Sequence, residues 1–339
     1  MGKCRTIGID GSVLRRPITG IGRYCINLFQ QLDNRCRDVE FIVYSRQPVE
    51  MPALSDRWKL CIEPNQILSR LPRFVWTRYF LSRLTKRHEL DLFWCTNTLI
   101  PCYLGTREIL LTVYDLNYWY ARETMNTAVK LSHKLYFEKD VKSATRILTI
   151  SQGTARKISK HFGKEADMVI HPSVSPVFTK RPQNAVSRTL QKYGIRENYI
   201  LSTGTLEPRK NIKTLIKAFR LLNSELRNHD LVVTGLKGWK FDTGEFAGVE
   251  YLKFIGYVPD EELADLYSGA AVFVFPSIYE GYGIPVAEAI ACGTRVIASD
   301  IEELREAGKG NAIYTKPTSS DIANNIMAVL QSEQKISNC

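Results

Sequence analysis

Short apolar runs alternate with stretches of helical periodicity along the whole 339-residue chain, and this alternation limits the fold more than any other feature. In the first half, it predicts strands at residues 6–10, 41–44, 92–94, 109–113 and 147–150, with a helix over 21–32. In the second half, it predicts strands at residues 199–203, 231–234, 271–275 and 295–298, with a helix over 212–222. Strands that alternate with helices form parallel sheets covered by helices, so the sequence predicts an α/β fold with two doubly wound domains.

A segment with three prolines and few apolar residues separates the two halves, which is the composition of a linker. We expect a Rossmann-like N-terminal domain at residues 1–171, a linker at 172–184 and a Rossmann-like C-terminal domain at 185–318. We also expect a C-terminal helix and tail at 319–339, for which packing back on the first domain is one arrangement. Ligands of open parallel sheets bind beyond the carboxyl ends of the strands, so the two domains are expected to face each other across one cleft.

The formal net charge of +11 lies entirely in the first half of the chain. Residues 1–170 contain 27 Lys+Arg against 16 Asp+Glu, whereas residues 171–339 contain 19 of each. Within residues 68–90, basic side chains interleave with aromatic and aliphatic ones: Arg70, Arg73, Arg78, Arg83, Lys86 and Arg87. Such a stretch either lies on an anionic membrane, where each cation contributes about 1 kcal/mol, or forms an amphipathic helix packed on its own domain. No nucleic-acid-binding signature is present, so no nucleic acid partner is expected.

The eight cysteines include no CxxC pair, which favours reduced thiols in a cytosolic protein. No apolar run reaches the length of a signal peptide core or a membrane span, so we expect a cytoplasmic location, with the cytoplasmic face of a membrane as an option. The first six residues also fit a loose acylation pattern, with Gly2 as a myristoylation site and Cys4 as a second acyl acceptor. The alternative is an ordinary start that leads directly into a buried first strand.

The loop after the strand at 199–203 has the sequence GTLEPRKN and is followed by a helix. Arg209, Lys210 and Lys213 therefore crowd the start of that helix, where the positive end of the helix dipole disfavours cations. A phosphate or diphosphate bound by these cations and by free backbone N–H groups would resolve the mismatch. The alternative is a set of basic side chains directed into solvent.

The loop after the strand at 271–275 carries two glycines and two carboxylates. Gly281 and Gly283 allow the backbone to approach a ligand closely. Glu280 precedes the next predicted helix and Glu288 is placed on its first turn, so both carboxylates can accept hydrogen bonds from hydroxyl groups. Together with the cations of the previous loop, they predict a nucleotide-sugar site. The alternatives are a solvated loop carboxylate for Glu280 and a helix-dipole partner for Glu288.

A third loop near the first helix contains Gly20 and Gly22, a G-x-G pair with Cys25 where a dinucleotide fingerprint has its third glycine. It is either a turn that approaches a phosphate or a purely structural turn. A Rossmann oxidoreductase is the corresponding alternative function. Glu40 argues against this function. It is the acidic residue near the expected ribose-binding position, but it lies at the start of its strand, whereas the ribose-binding residue of a dinucleotide site lies at the end.

The chain resembles the retaining glycosyltransferases of family GT4, whose fold is GT-B, and in particular their bacterial mannosyltransferase-like members. The resemblance rests on residues 204–211 and on the Glu280-x7-Glu288 segment, with supporting matches at residues 19–22, 149–151 and 256–263. It covers nearly the whole chain and is strongest over residues 198–300. It implies a transferase that moves a sugar from a GDP- or UDP-sugar to a hydroxyl of a glycan or lipid-linked glycan, with retention of anomeric configuration.

The resemblance also implies roles for individual residues. Arg209 and Lys210 would neutralise the departing diphosphate, and Glu280 would hold hydroxyls of the donor sugar. The implied donor-binding set is Gly20, Gly22, Tyr114, Asp115, Gly204, Thr205, Tyr257, Val258, Gly281, Tyr282, Gly283, Ile284 and Glu288, with Glu288 on the ribose and Tyr257 and Val258 beside the base. The leaving phosphate would accept the acceptor's proton. No Asp-x-Asp triplet or HExxH pair occurs, so neither a catalytic metal nor a cofactor is expected, and the nucleotide sugar is a co-substrate.

One position departs from the family pattern. Many members have His-Asp after the strand that here covers 109–113, whereas this chain has Tyr114 and Asp115. A phenol is mostly a hydrogen-bond donor, unlike an imidazole at neutral pH. Either Tyr114 takes the histidine's place with a changed preference, such as a deoxy or pentose donor, or it is a structural residue. A binding subunit without catalysis is the corresponding alternative function.

Overall fold

A computed structural model of the chain describes residues 5–16, 18–106, 108–125, 127–222 and 224–337, with the side chains of 128 and 333–337 left out. The described residues divide into two compact units. Unit 1 extends to Leu116 and continues over Thr127–Ser173, and unit 2 comprises Asn117–Asn126 and the chain from Val174 onward. The units divide at a point inside the predicted linker. The assignment of residues 117–126 to unit 2 was not predicted.

The sheet of unit 1 contains, among the described residues, seven parallel strands in the order β3-β2-β1-β4-β5-β6-β7. The strands are β1 (Arg5–Asp10), β2 (Val39–Ser45), β3 (Trp58–Ile62), β4 (Leu92–Cys95), β5 (Ile109–Val113), β6 (Arg146–Thr149) and β7 (Met168–Val169). The helices are α1 (Gly20–Arg35), α2 (Gln66–Ser69), α3 (Arg73–Val75), α4 (Ser82–Thr85), α5 (Asn117–Tyr120), α6 (Thr127–Ser132), α7 (Glu138–Ser143) and α8 (Gln152–Phe162), of which α5 belongs to unit 2. The strands β1, β4 and β5 end in buried residues because helices cover both faces of the sheet.

The sheet of unit 2 has six parallel strands within the described ranges, in the order β10-β9-β8-β11-β12-β13. The strands are β8 (Tyr199–Thr203), β9 (Asp230–Thr234), β10 (Leu252–Gly256), β11 (Val272–Phe275), β12 (Val296–Ser299) and β13 (Ile313–Thr315). The helices are α9 (Gln183–Tyr193), α10 (Ile212–Leu221), α11 (Asp260–Gly269), α12 (Ile284–Ala291), α13 (Glu302–Gly308) and α14 (Ser319–Ser337). The predicted α/β class with two doubly wound domains is confirmed.

Helix α14 packs within unit 2. Its residues Ile322, Ala323 and Ile326 are buried in the same hydrophobic core as Leu215 and Phe219 of α10. Apolar residues on one face of α14 recur at helical spacing, and this face is buried against α10. The described part of this segment thus belongs to unit 2, and its predicted packing on the first domain stays a prediction.

The basic stretch at residues 68–90 is broken into α2, α3, a π-helical turn at Trp76–Phe80 and α4. Trp76 is fully buried, and Arg78 is a buried partner of Asp140 at 2.6 Å. Phe74 and Tyr79 remain exposed. The stretch thus packs on its own unit, which is one of the two interpretations given above. Part of its aromatic surface is nevertheless exposed to solvent. Among the described residues, no helix combines the length and apolarity needed to cross a bilayer.

Six cysteines fall within the description, and all six are free thiols. The acylation sites considered from the sequence, Gly2 and Cys4, lie outside the described residues.

Candidate functional site

The two loops singled out in unit 2 follow neighbouring strands. β8 and β11 pair in parallel, with Val272 opposite Ile200 and Phe273 opposite Leu201, so their carboxyl ends lie at the same edge of the sheet. This edge is where open parallel sheets bind ligands. At Gly204, directly after β8, φ is +131°, and an added Cβ would lie 3.0 Å from Cε of Lys210. The turn and the close packing of the lysine stem both require glycine at this position.

Four charged side chains from these loops form one group, buried except for the partly buried Arg209, which we call the charge cluster: Glu207, Arg209, Lys210 and Glu280. Lys210 Nζ lies 2.7 Å from Glu280 Oε1, and Arg209 Nη1 lies 2.7 Å from Glu280 Oε2. Arg209 also lies 2.7 Å from Glu207 through Nη2. Two cations and two carboxylates balance, so the cluster is neutral as a whole.

The charge cluster explains how cations can stand at the start of α10, where the helix dipole disfavours them. Arg209 and Lys210 form a short 3₁₀ turn before α10, which Asn211 terminates with φ +57°, and glutamates of the chain itself neutralise them. Lys213 instead pairs with Glu245 at 2.6 Å on the surface. Neither solvated alternative describes the cluster, since Lys210 and Glu280 are each only 8% exposed.

Burial and charge oppose each other in setting the protonation of the cluster. Burial alone would raise the pKa of Glu280, but attraction to Arg209 and Lys210 outweighs it and lowers that pKa to about 2. Burial lowers the pKa of Lys210, although Glu280 acts in the opposite direction. Glu280 is thus ionised at neutral pH, which makes it a hydrogen-bond acceptor and unsuited to donating a proton.

The second carboxylate, Glu288, has a different environment. The sequence placed it on the first turn of its helix, and this is wrong, because α12 begins at Ile284 and has no acidic residue in its first turn. Glu288 is buried on the second turn, where the hydroxyl of Tyr267 donates to its Oε2 at 3.3 Å. The same hydroxyl lies 3.2 Å from Oγ1 of Thr203 at the end of β8. The position is too far from the helix start for a dipole partner, which excludes that alternative.

The glycine loop before α12 is fixed by packing. Gly283 has φ +107°, and an added Cβ would meet Leu304 Cδ2 at 2.3 Å. Gly281 and Tyr282 are also buried, and Ile284 is partly buried as the first residue of α12. Further predicted donor-binding residues of unit 2 differ in exposure: Thr205 and Tyr257 are exposed, whereas Val258 is buried.

The remaining predicted residues belong to unit 1. Gly20 is the exposed first residue of α1, and an added Cβ there would meet nothing within 4 Å. Gly22 is buried, and its added Cβ would lie 2.6 Å from the carbonyl oxygen of Val13, so it serves the packing of the turn. Thr19 caps the helix by accepting from the Gly22 N–H at 3.4 Å.

Tyr114 is buried in unit 1, and the sugar contact predicted for it stays a prediction. Its hydroxyl donates to the carbonyl oxygen of Thr96 at 2.7 Å and lies 3.4 Å from Sγ of Cys25. Its ring meets that of Tyr24 edge to face at 6.0 Å. These contacts favour the structural role, which the sequence analysis gave as the alternative. Asp115, the next residue, is partly buried.

Several residues around the site were not found from the sequence. Glu207 stands in the GTLEPRKN loop beside the two cations, and its charge was the available signal. Tyr267 of α11 donates to Glu288, and the carbonyl oxygen of Tyr279, in the loop after β11, accepts from Arg209. The spacing of the two tyrosines in the sequence is the same as that of ordinary core residues, so it does not reveal that they lie at the site.

Comparison with known proteins identifies the domain that carries this site. Residues 187–339 match the family described as Glycosyl transferases group 1. We refer to this part of the chain, by that match, as the group 1 domain. It contains the whole charge cluster, Glu288 and Tyr267.

Curated relatives match over a larger part of the chain than the group 1 domain. O-antigen chain mannosyltransferase B of Escherichia coli is 35% identical over 214 residues, which is 58% of this chain and 56% of that protein. O-antigen chain mannosyltransferase RfbU of Salmonella typhimurium is 29% identical over 324 residues, 91% of this chain and 86% of that protein. The chain spans about half or less of the length of several of the curated relatives it matches.

Solved structures share the fold of both units. WaaG, a glycosyltransferase involved in lipopolysaccharide biosynthesis, has a TM-score of 0.72 at 18% identity, with 96% of this chain and 90% of that chain covered. Sucrose-phosphate synthase from Thermosynechococcus elongatus has a TM-score of 0.71 with the same identity and coverage. The group 1 domain and the unit that precedes it thus have the GT-B fold.

Proposed function

We propose that the chain is a retaining, metal-independent glycosyltransferase that moves mannose from a nucleoside-diphosphate donor to a hydroxyl of an O-antigen-type polysaccharide. The observation that carries the proposal is the buried charge cluster at the carboxyl ends of β8 and β11, inside the group 1 domain. The names of the Escherichia coli and Salmonella relatives, both O-antigen chain mannosyltransferases, support the sugar and the acceptor class.

The proposed chemistry uses the two cations of the charge cluster. The bond between the anomeric carbon and the diphosphate oxygen breaks, and its electron pair stays on the diphosphate. Arg209 and Lys210 stabilise this growing charge, which takes the place of a divalent metal. The acceptor hydroxyl attacks from the same face of the sugar, and its proton passes to the departing phosphate oxygen. Addition of EDTA should therefore leave turnover unchanged.

The two carboxylates would bind hydroxyl groups of the donor. Glu280 is ionised at neutral pH and can accept from sugar hydroxyls while it orients Arg209 and Lys210. Glu288 would accept from the ribose, with Tyr267 holding its other side. Gly281 and Gly283 would let the backbone approach the sugar closely, and the strip at residues 257–258 would border the base.

Mannose is preferred here to a deoxy or pentose sugar for a structural reason. The only argument for a changed donor was Tyr114, and its hydroxyl is bonded to Thr96 within unit 1. A donor panel that compares GDP-mannose with deoxy and pentose nucleotides tests this step. Clear transfer of the deoxy or pentose sugar in preference to mannose would contradict it.

A thermal-shift screen against UDP, GDP, ADP and their sugars tests the function as a whole, because a ligand that binds the folded state raises its stability. Radiolabelled donor with a lipid extract then tests transfer. We expect one nucleotide sugar to stabilise the chain and its sugar to be transferred. Binding without transfer would support a non-catalytic subunit, and a change in nicotinamide absorbance would support an oxidoreductase.

We also propose that the acceptor is reached at the cytoplasmic face of an anionic membrane. Phe74 and Tyr79 are exposed beside the exposed cations Arg70, Arg73 and Arg83. Such a surface suits anionic lipids, to which each cation adds about 1 kcal/mol. Flotation with anionic liposomes should occur at low salt and be lost at high salt. A chain that never floats would contradict the membrane proposal and leave the transferase proposal standing.

A further inference from the structure

The segment at residues 117–125 is joined to unit 1 at both ends, yet it belongs to unit 2. At its far end, backbone carbonyl oxygens accept hydrogen bonds from side chains of unit 2. Trp239 Nε1 donates to the carbonyl oxygen of Thr124 at 2.6 Å, and Lys240 Nζ donates to that of Glu123 at 3.3 Å. The segment is therefore a built part of unit 2 and not a loose connection.

The near end of this segment reaches the charge cluster through one aromatic stack. The ring of Tyr120 lies parallel to that of Tyr279, with centroids 5.3 Å apart and an interplanar angle of 10°. Tyr279 is 3% exposed, whereas Tyr120 is 39% exposed. Tyr120 thus covers Tyr279 from the solvent side.

Tyr279 lies within the contacts that hold Arg209. Its carbonyl oxygen accepts from Arg209 Nη1 at 2.9 Å, and the preceding N–H of Ile278 donates to the carbonyl oxygen of Arg209 at 2.8 Å. The following residue, Glu280, pairs with Arg209 and Lys210. A displacement of the Tyr279 ring would consequently move the backbone that aligns both cations.

We propose that Tyr120 is a positioning residue for the charge cluster, acting through its stack on Tyr279. The expected effect on turnover rests on the proposed function. The expected effect on the backbone at residues 278–280 does not. Groups that bear transition-state charge are sensitive to displacements of about 1 Å, and such a displacement can cost about 10²-fold in rate. The loss should fall on kcat more than on KM, because Arg209 is needed most when charge grows on the departing diphosphate.

The test compares Tyr120→Ala with Tyr120→Phe, which keeps the ring, and with Tyr103→Ala, which removes an exposed tyrosine of unit 1. Hydrogen exchange of the backbone amides at residues 278–280 is the readout that needs no activity. We expect exchange there to rise about tenfold or more in Tyr120→Ala and to stay at the wild-type rate in the other two variants. We expect kcat with nucleoside-diphosphate mannose to fall about tenfold in Tyr120→Ala only, with equal melting temperatures for all variants.

Three results would overturn the inference: wild-type exchange in a folded Tyr120→Ala variant, faster exchange with unchanged kcat, or an equal loss in Tyr120→Phe. A wild-type chain that binds and transfers no sugar would refute the proposed function instead. The exchange measurement would still decide whether Tyr120 holds the backbone of the charge cluster.

Discussion

Replacing Glu280 by glutamine should lower the free energy of unfolding by an amount that depends on pH. The side chain is buried and accepts from Arg209 and Lys210. Glutamine has nearly the same volume, so the variant removes the charge without creating a cavity. It leaves the buried Lys210 and the partly buried Arg209 with Glu207 as the remaining carboxylate of the charge cluster.

The magnitude follows from the lowered pKa of Glu280. It is about 2 in the folded chain against an ordinary value of 4.5, because Arg209 and Lys210 outweigh the effect of burial. At about 1.4 kcal/mol for each tenfold change in proton affinity, the ionised carboxylate stabilises the fold by about 3 kcal/mol. Since the folded pKa is the lower one, this contribution is complete above pH 4.5 and is lost as the pH falls toward 2. Roughly 1.4 kcal/mol of it should be gone at pH 3.5.

Urea unfolding of the wild type and Glu280→Gln at pH 6.5, 4.5 and 3.5 measures this difference. Glu250→Gln is the matched control, because Glu250 is an exposed glutamate of the same unit. We expect a loss of about 3 kcal/mol for Glu280→Gln at pH 6.5, a clearly smaller loss at pH 3.5, and almost none for the control at any pH. A loss for Glu280→Gln that is the same at pH 6.5 and 3.5 would refute the argument from charge.

Three further predictions concern other parts of the molecule. Lys210→Met should lower kcat at saturating donor by tenfold or more, since a lost transition-state charge contact costs about 3 kcal/mol; equal turnover would count against the role of the cation. Asp140→Asn should cost about 3 kcal/mol in urea unfolding because it leaves Arg78 buried without its charged partner, and a loss below about 1 kcal/mol would show that the pair is dispensable. Gly283→Ala should cost at least about 2 kcal/mol, since φ is +107° and the new Cβ would meet Leu304; a wild-type melting temperature would disprove this.

The sequence predicted the inner strands of both sheets and missed the outer ones. The four missed strands, β3, β7, β10 and β13, are the edges of the two sheets. The inner strand β8 is buried at every position, whereas β3 has no fully buried residue. Inner strands need a continuous apolar run because helices cover both of their faces, and edge strands do not. The periodicity therefore carries little signal at the edges.

At the site, the sequence analysis selected the charged side chains that lie close together along the chain. Arg209, Lys210 and Glu280 stand in short loops next to buried strands, and their charges are visible without any tertiary information. Their partners were less accessible, because Tyr267 comes from α11 and meets Glu288 only in the folded chain. Glu288 was misplaced because α12 begins at Ile284, one residue before the predicted start, and a helix start is uncertain by one or two residues.

Tyr114 shows why a position in a motif does not determine the direction of a side chain. It follows β5 as the sequence predicted, but its ring enters the interior of unit 1, where Thr96 provides a carbonyl acceptor for its hydroxyl. A buried phenol needs such an acceptor. Nothing in the local sequence reveals that acceptor, because it belongs to the loop after β4, 18 residues earlier in the chain.

The charge cluster is not explained by the stability of the fold. Breaking one pair in it should cost about 3 kcal/mol, yet a well-packed apolar replacement of a whole buried ionic group is often neutral or stabilising by about 1–4 kcal/mol. The cations also stand before the positive end of α10, which disfavours them further. Folding alone would thus favour apolar residues at Arg209 and Lys210. A reaction that releases a diphosphate needs two cations held in place before the charge appears, and glutamates that keep them ionised and aligned meet that need. The arrangement of the four side chains is accordingly better accounted for by the proposed transfer than by packing.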